Sequence, residues 1–167
     1  MKVMTDALVT TQVHRIYIKA TPQAIWDAIT KPEWNQRYGY RAASHYELRK
    51  GGKYQVLASE GMKAHGSPAV IIDGEVIEAD PPRKLVQSWR ALWSPELAAE
   101  EHTRVTWDID EDDGGFTRVT VTHELEGAPQ HAAMIGTNVR LHEGGGAWPW
   151  ILSDLKTLLE TGKESQA

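Results

Sequence analysis

The sequence predicts an α+β domain in which a curved antiparallel sheet of about six to seven strands grips one long C-terminal helix. Three observations lead there. From Gly144 to Gly162 the chain reads as a single amphipathic helix released by three glycines. Almost everything upstream alternates apolar and polar residues with the period of a half-buried strand. Between two such alternating runs, Asp113-Gly114 supplies the positive-φ residues that a tight hairpin needs.

The helix comes first because it demands a partner. Trp148, Ile151, Leu152, Leu155, Leu158 and Leu159 form one apolar stripe on a 3.6-residue period, with Ser153, Asp154, Lys156, Thr157 and Glu160 outside it. Pro149 suits the first turn. A lone helix of this length is marginal in water, so its stripe must lie on a surface. Trp150 points away from the stripe and is expected to meet the preceding loop, a lid or a partner subunit.

The strands supply the surface. In VHRIYIKA, from Val13, Ile16, Ile18 and Ala20 take one side and Arg15, Tyr17 and Lys19 the other. Thr21-Pro22 then starts a short helix that turns Ile25, Ala28 and Ile29 one way. Lys31-Pro32-Glu33 starts a second, expected to carry Trp34 and Tyr38 on one face. After the Gly51-Gly52 turn, Tyr54 and Val56 share a strand face, and residues 58–69 read as a loop. VIIDGEVIEAD is a strand whose isolated Gly74 suggests a bulge or bend. Beyond Pro81-Pro82, Leu85, Gln87, Trp89, Ala91 and Trp93 share a face, and Ser94-Pro95 opens a helical turn. In the hairpin, Val105, Trp107 and Ile109 precede the turn, and Val119, Val121 and His123 follow it. HAAMIGTNVRL reads as a short helix before the triple glycine.

Composition narrows the class. The 167 residues suit one domain, with a loose tail at 1–12, the domain at 13–162 and a C-terminal tail at 163–167. No apolar run approaches the roughly 20 residues of a bilayer span. MKVMTDALVTTQ lacks an apolar signal core, so a cytoplasmic location is expected. Cysteine is absent, which excludes disulfides, thiolate catalysis and cysteine metal sites together. A net charge of −5 without a basic stripe argues against a nucleic-acid partner.

Few residues carry chemistry. Asp108 to Gly114 has acidic spacing like a calcium loop, but Asp113 stands where glycine is needed and Val119 where a bidentate Glu is needed. No His-Glu-x-x-His, Gly-x-Ser-x-Gly or Gly-x-Gly-x-x-Gly occurs, so no metal, nucleophile elbow or dinucleotide cofactor is expected. His123 is the one titratable residue that alternation sends to the apolar face. It is either a buried, hydrogen-bonded core imidazole or an acid–base group in a cavity, with Glu78 and Gln87 weaker candidates.

Ile18-Lys19-Ala20-Thr21-Pro22 with Ile25-Trp26, Asp73-Gly74-Glu75-Val76, Asp80-Pro81-Pro82 with Leu85, Trp89, Thr106-Trp107, Thr117 to His123 and the glycine-Trp start of the last helix together carry a resemblance. They resemble the SRPBCC (START-like) superfamily, the helix-grip fold, and within it bacterial homologues of the heat-shock-protein-90 ATPase activator. The likeness spans residues 13–160, nearly the whole chain. It implies a hydrophobic cavity between sheet and helix. Tyr54, Val56, Trp89, Trp107, Val119, Val121 and His123 would line it from the sheet, Trp148, Ile151, Leu152 and Leu155 from the helix, with Trp34 and Tyr38 at the mouth. The segment from Gly127 to Gly146 is longer than in relatives, and the Trp-Pro-Trp start is heavier.

Three functions follow: a cavity binding a hydrophobic or aromatic small molecule, a cyclase- or hydrolase-like enzyme using His123, and a co-chaperone-type interaction module. The eukaryotic activators carry a further N-terminal domain, and this chain resembles only their C-terminal one. A homodimer through exposed Trp93 or Trp150 is a further expectation.

Overall fold

Seven strands form one antiparallel sheet in the computed structural model, which describes residues 10–136 and 139–165. They are β1 (Thr11–Ile18), β2 (Ala43–Tyr46), β3 (Lys53–Leu57), β4 (Val70–Asp80), β5 (Lys84–Ala91), β6 (Thr103–Glu111) and β7 (Thr117–Glu124), in the order β1-β7-β6-β5-β4-β3-β2. Each strand from β2 to β7 pairs with its sequence neighbour, and β1 closes on β7 with Ile16 opposite Val119. The helices are α1 (Pro22–Thr30), α2 (Pro32–Asn35), α3 (Glu60–Ala64), α4 (Pro95–Ala98), α5 (Pro129–Ile135) and α6 (Ala147–Thr161). This is the α+β helix-grip fold. Among the described residues no helix is long and apolar enough to cross a membrane.

Local chemistry places the helices. Thr21 Oγ1 accepts from Ala24 N at 3.1 Å and Pro22 follows it, as the sequence predicts for α1. The buried face of α1 also includes Trp26, which the expected face left out. Helix α2 ends at Asn35, so Trp34 and Tyr38 do not share a helical face. Residues 58–69 are not all loop: Ser59 caps α3 by accepting from Met62 N at 3.2 Å. Thr11 and Gln12 belong to β1 rather than to a tail; residues 1–9 lie outside the described residues. Helix α5 stops at Ile135, and the expected helix ran on across Thr137 and Asn138, which are outside them too.

The sheet curves at register shifts between Val76 and Glu78 of β4 and between Val56 and Leu57 of β3. Gly74 serves a different need. A Cβ there would stand 2.0 Å from the Ser88 carbonyl oxygen of β5, so only glycine allows the two strands to pair. Gly74→Ala is expected to destabilise the fold by about 2 kcal/mol, read from urea unfolding midpoints; an unchanged midpoint would contradict the close approach.

Helix α6 divides along its length. Leu155 and Leu158 are fully buried and join Ile18, Ile25, Ile109 and Val119 in one core, where α6 packs on β1 and α1. Each such leucine contributes roughly 1.5–3 kcal/mol. Asp154, expected on the wet face, is 2 % exposed. Its carboxylate accepts from Gly39 N at 2.8 Å and from the Ser165 hydroxyl. Glu164 reaches Arg41 at 2.8 Å and Arg37 at 3.3 Å. Residues 163–165 are therefore tied back onto the loop before β2 instead of trailing as a tail; Gln166 and Ala167 lie outside the described residues.

Candidate ligand-binding site

Where α6 begins, the sheet and the helix part, and a cavity of about 650 Å³ lies between them. The concave face gives Tyr46, Tyr54, Val56, Ile71, Gln87, Trp89 and Trp107; the first turns of α6 give Trp148 and Ile151. The remaining wall comes from connections: Tyr38 to Ala42 before β2, Met62 and residues 65–67 at α3, Trp93 after β5, and Met134 and Ile135 of α5. The long segment before the triple glycine thus contributes a wall, which is why α5 has two apolar residues at its end.

Glycines and one phenol hold the rim. The Tyr40 hydroxyl donates to the Gly145 carbonyl at 2.7 Å and accepts from Ala147 N at 3.0 Å. Around it the backbone is left-handed at Gly39, Arg41, Gly144, Gly146 and Ala147, two of them non-glycine residues, so this rim is strained. A Cβ on Gly146 would lie 2.5 Å from Trp150 Cβ and 2.6 Å from Leu141 Cδ2. Trp150 accordingly sits half-buried against the loop that precedes α6.

His123 does not line the cavity. It is fully buried one layer behind, with both ring nitrogens engaged. Thr103 Oγ1 donates to the Trp89 carbonyl at 2.8 Å and accepts from His123 Nε2 at 2.8 Å; Trp148 Nε1 donates to His123 Nδ1 at 3.0 Å. This set of partners requires the neutral Nε2–H tautomer. Burial, with smaller contributions from His131 and His14, lowers the His123 pKa to about 3. An imidazole without a free nitrogen has nothing to offer a substrate. What it does is seat Trp148, whose ring meets Trp107 edge-on at 5.6 Å, at the inner end of the cavity.

A second buried histidine, His131 of α5, does related work at the other wall. Its Nε2 accepts from Ala91 N at 2.9 Å and its Nδ1–H donates to Glu100 at 2.7 Å. Glu100 also accepts from Gln130 N and His131 N at the start of α5, and these bonds outweigh desolvation and hold its carboxyl below the usual range. The pair fastens α5, and so Met134 and Ile135, to the end of β5.

The structure brings together Tyr38, Tyr54, Val56, Trp89, Trp107, Trp148 and Ile151 of the residues singled out from sequence. It separates the others. Val121, Leu152 and Leu155 are buried in the core and His123 behind Trp148, none of them on the cavity wall. Trp34 lies outside it under the Arg37 guanidinium, 4.9 Å from ring centre to carbon. Tyr38 is a buried wall residue whose hydroxyl donates to the Ala28 carbonyl at 2.9 Å, not a mouth residue. Trp93 is 45 % exposed at the rim, and Glu78 faces solvent. Tyr46 was missed because β2 is only four residues, ASHY, with no alternation to mark its face.

Among the described residues no three His, Asp or Glu side chains gather as metal ligands. No curated protein sequence matches the chain. Solved structures do. CalU16 from Micromonospora echinospora is 21% identical with a TM-score of 0.54, over 75% of this chain and 66% of that one, so this chain spans just under two thirds of it. An HSP90 activator from Plasmodium falciparum is 18% identical with a TM-score of 0.63, over 91% and 97% of the two chains. The Aha1 dimer from Colwellia psychrerythraea is 19% identical with a TM-score of 0.62, over 93% and 99%. At such identities the likeness is one of fold. The family described as activator of Hsp90 ATPase homolog 1-like protein, however, matches by sequence across residues 19–160, and the chain belongs to that family.

Proposed function

We propose that the protein binds a hydrophobic or aromatic small molecule in the cavity between the sheet and α6. The observation that carries this reading is the cavity itself. Its volume of about 650 Å³ falls within the range of small-molecule sites, and its wall is mostly aromatic and aliphatic with a few polar groups. His123 argues against the enzyme alternative, since both of its nitrogens are spent on Thr103 and Trp148. The co-chaperone reading rests on the family's name, and the cavity does not call for it.

A ligand panel tests the proposal. A binding aromatic is expected to quench tryptophan fluorescence and raise the melting temperature, with about 2.7 kcal/mol of added stability at a hundred times Kd. Ile135→Trp, at the partly buried α5 wall, is expected to remove the quench while the protein stays folded. A broad panel that leaves both fluorescence and melting unchanged would end the proposal.

A further inference from the structure

The polar groups around the cavity are mostly committed. The Asn35 amide donates to the Ile29 and Ser44 carbonyls and accepts from Ser44 N. The Tyr38 and Tyr40 hydroxyls are held by backbone at 2.9 Å and 2.7 Å. One cluster differs. Tyr46 of β2 donates its hydroxyl to Gln87 Oε1 of β5 at 2.9 Å, and the Tyr46 and Tyr54 rings stack with centres 4.7 Å apart. Gln87 is 1 % exposed and Tyr54 is buried beside it. With Oε1 taken, the amide's N–H side is turned to the Tyr54 phenol, which Tyr46 and Trp89 also approach, and one of its two N–H donors is left for a ligand.

No Asp, Glu or Lys lines the cavity among the described residues. Arg41, at the rim, is engaged by Glu164 at 2.8 Å. Burial pushes both cluster phenols above the usual tyrosine range, so they stay protonated donors. A charged head placed against this cluster would lose its water without meeting a counter-charge. A neutral oxygen loses little and gains an amide or phenol donor. The flanking surfaces, Trp89, Trp107 and Trp148, are flat rings.

Building on the binding reading above, we propose that the occupant is an uncharged planar aromatic molecule bearing a hydroxyl or carbonyl oxygen, which it presents to the Tyr46–Gln87–Tyr54 cluster. The oxygen accepts from the Gln87 amide or the Tyr54 hydroxyl while the ring system lies along the tryptophans. Specificity then resides in β2, β3 and β5, with α6 providing only the apolar roof.

Calorimetric titration of the full chain with naphthalene, 2-naphthol and 2-naphthoate at pH 7.5 tests this. 2-Naphthol is expected to bind about ten-fold tighter than either of the others. Gln87→Leu is expected to reduce the naphthol preference over naphthalene to about two-fold while naphthalene affinity stays the same. Tyr54→Phe is expected to reduce it in the same direction and serves if the Gln87 variant fails to fold. Naphthoate binding as tightly as naphthol would overturn the assignment and point to Arg41 instead. So would a naphthol preference that survives both substitutions. If none of the three compounds binds while other members of the broad panel still quench tryptophan fluorescence, this assignment falls and the binding reading stands; if the broad panel fails as well, both fall.

Discussion

Replacing Trp148 by alanine is expected to cost about 4 kcal/mol of stability and to enlarge the cavity at its inner end. The indole is 7 % exposed, meets Trp107 edge-on, and donates to His123 Nδ1 at 3.0 Å. Truncation removes a large apolar surface, leaves a hole that the surrounding sheet cannot close, and strips a buried acceptor of its donor. Trp148→Phe divides these contributions: it keeps one aromatic ring but loses the N–H and part of the bicyclic surface, so a cost of about 2 kcal/mol is expected. Urea unfolding of the two variants measures both. An alanine variant within about 1 kcal/mol of the parent would mean that Trp148 is a loose gate and not a fixture.

Mild acid is the second large effect. Folded, His123 takes a proton only near pH 3; unfolded, it does so at its ordinary value of 6.5. Between these the unfolded chain binds more protons, so stability falls as pH falls from about 6.5 toward 3. From pH 7.5 to pH 5 the loss assigned to His123 is about 2 kcal/mol, at 1.36 kcal/mol per unit below the unfolded value. His14 shifts the same way through burial and adds to it. Asp73 and Glu100, whose pKa values lie below the usual carboxylate range, also lose their stabilisation in acid, but chiefly below their unfolded values of 3.8 and 4.5 and so below pH 5. His123→Gln retains an acceptor and a donor yet cannot titrate. It is expected to be less stable at pH 7.5 and to lose about 2 kcal/mol less on going to pH 5. Parallel pH profiles of parent and variant would contradict the buried neutral imidazole.

Both predictions concern residues that sequence periodicity placed inward, His123 by strand alternation and Trp148 by the helical stripe. Period-two runs located six of the seven strands, and the 3.6-residue stripe located α6, because burial of one face is the dominant force on each. The same patterns could not divide inward residues between core and cavity. Leu152, Leu155 and Val121 satisfy the pattern as well as Ile151 and Val56 do. What separates them is where α6 diverges from the sheet, a property of packing across elements far apart in sequence. Gln87 was visible on the apolar face of β5, but its partner Tyr46 sits on a strand too short to read. Asp154 looked solvated because the groups that satisfy it, Gly39 N and the Ser165 hydroxyl, come from a distant loop and from the chain end. His123 was correctly found inside; only the geometry of Thr103 and Trp148 says that both of its ring nitrogens are engaged and that it seats a tryptophan.

The space beneath the first turns of α6 is expected to accept a ligand. Two-dimensional NMR of the full chain during titration with 2-naphthol tests it most directly, because each tryptophan indole N–H reports its own surroundings. The signals of Trp89, Trp107 and Trp148 are expected to shift together and saturate, while that of Trp26, buried in α1, stays in place. Shifts confined to exposed Trp93, or spread without saturation, would contradict an internal site.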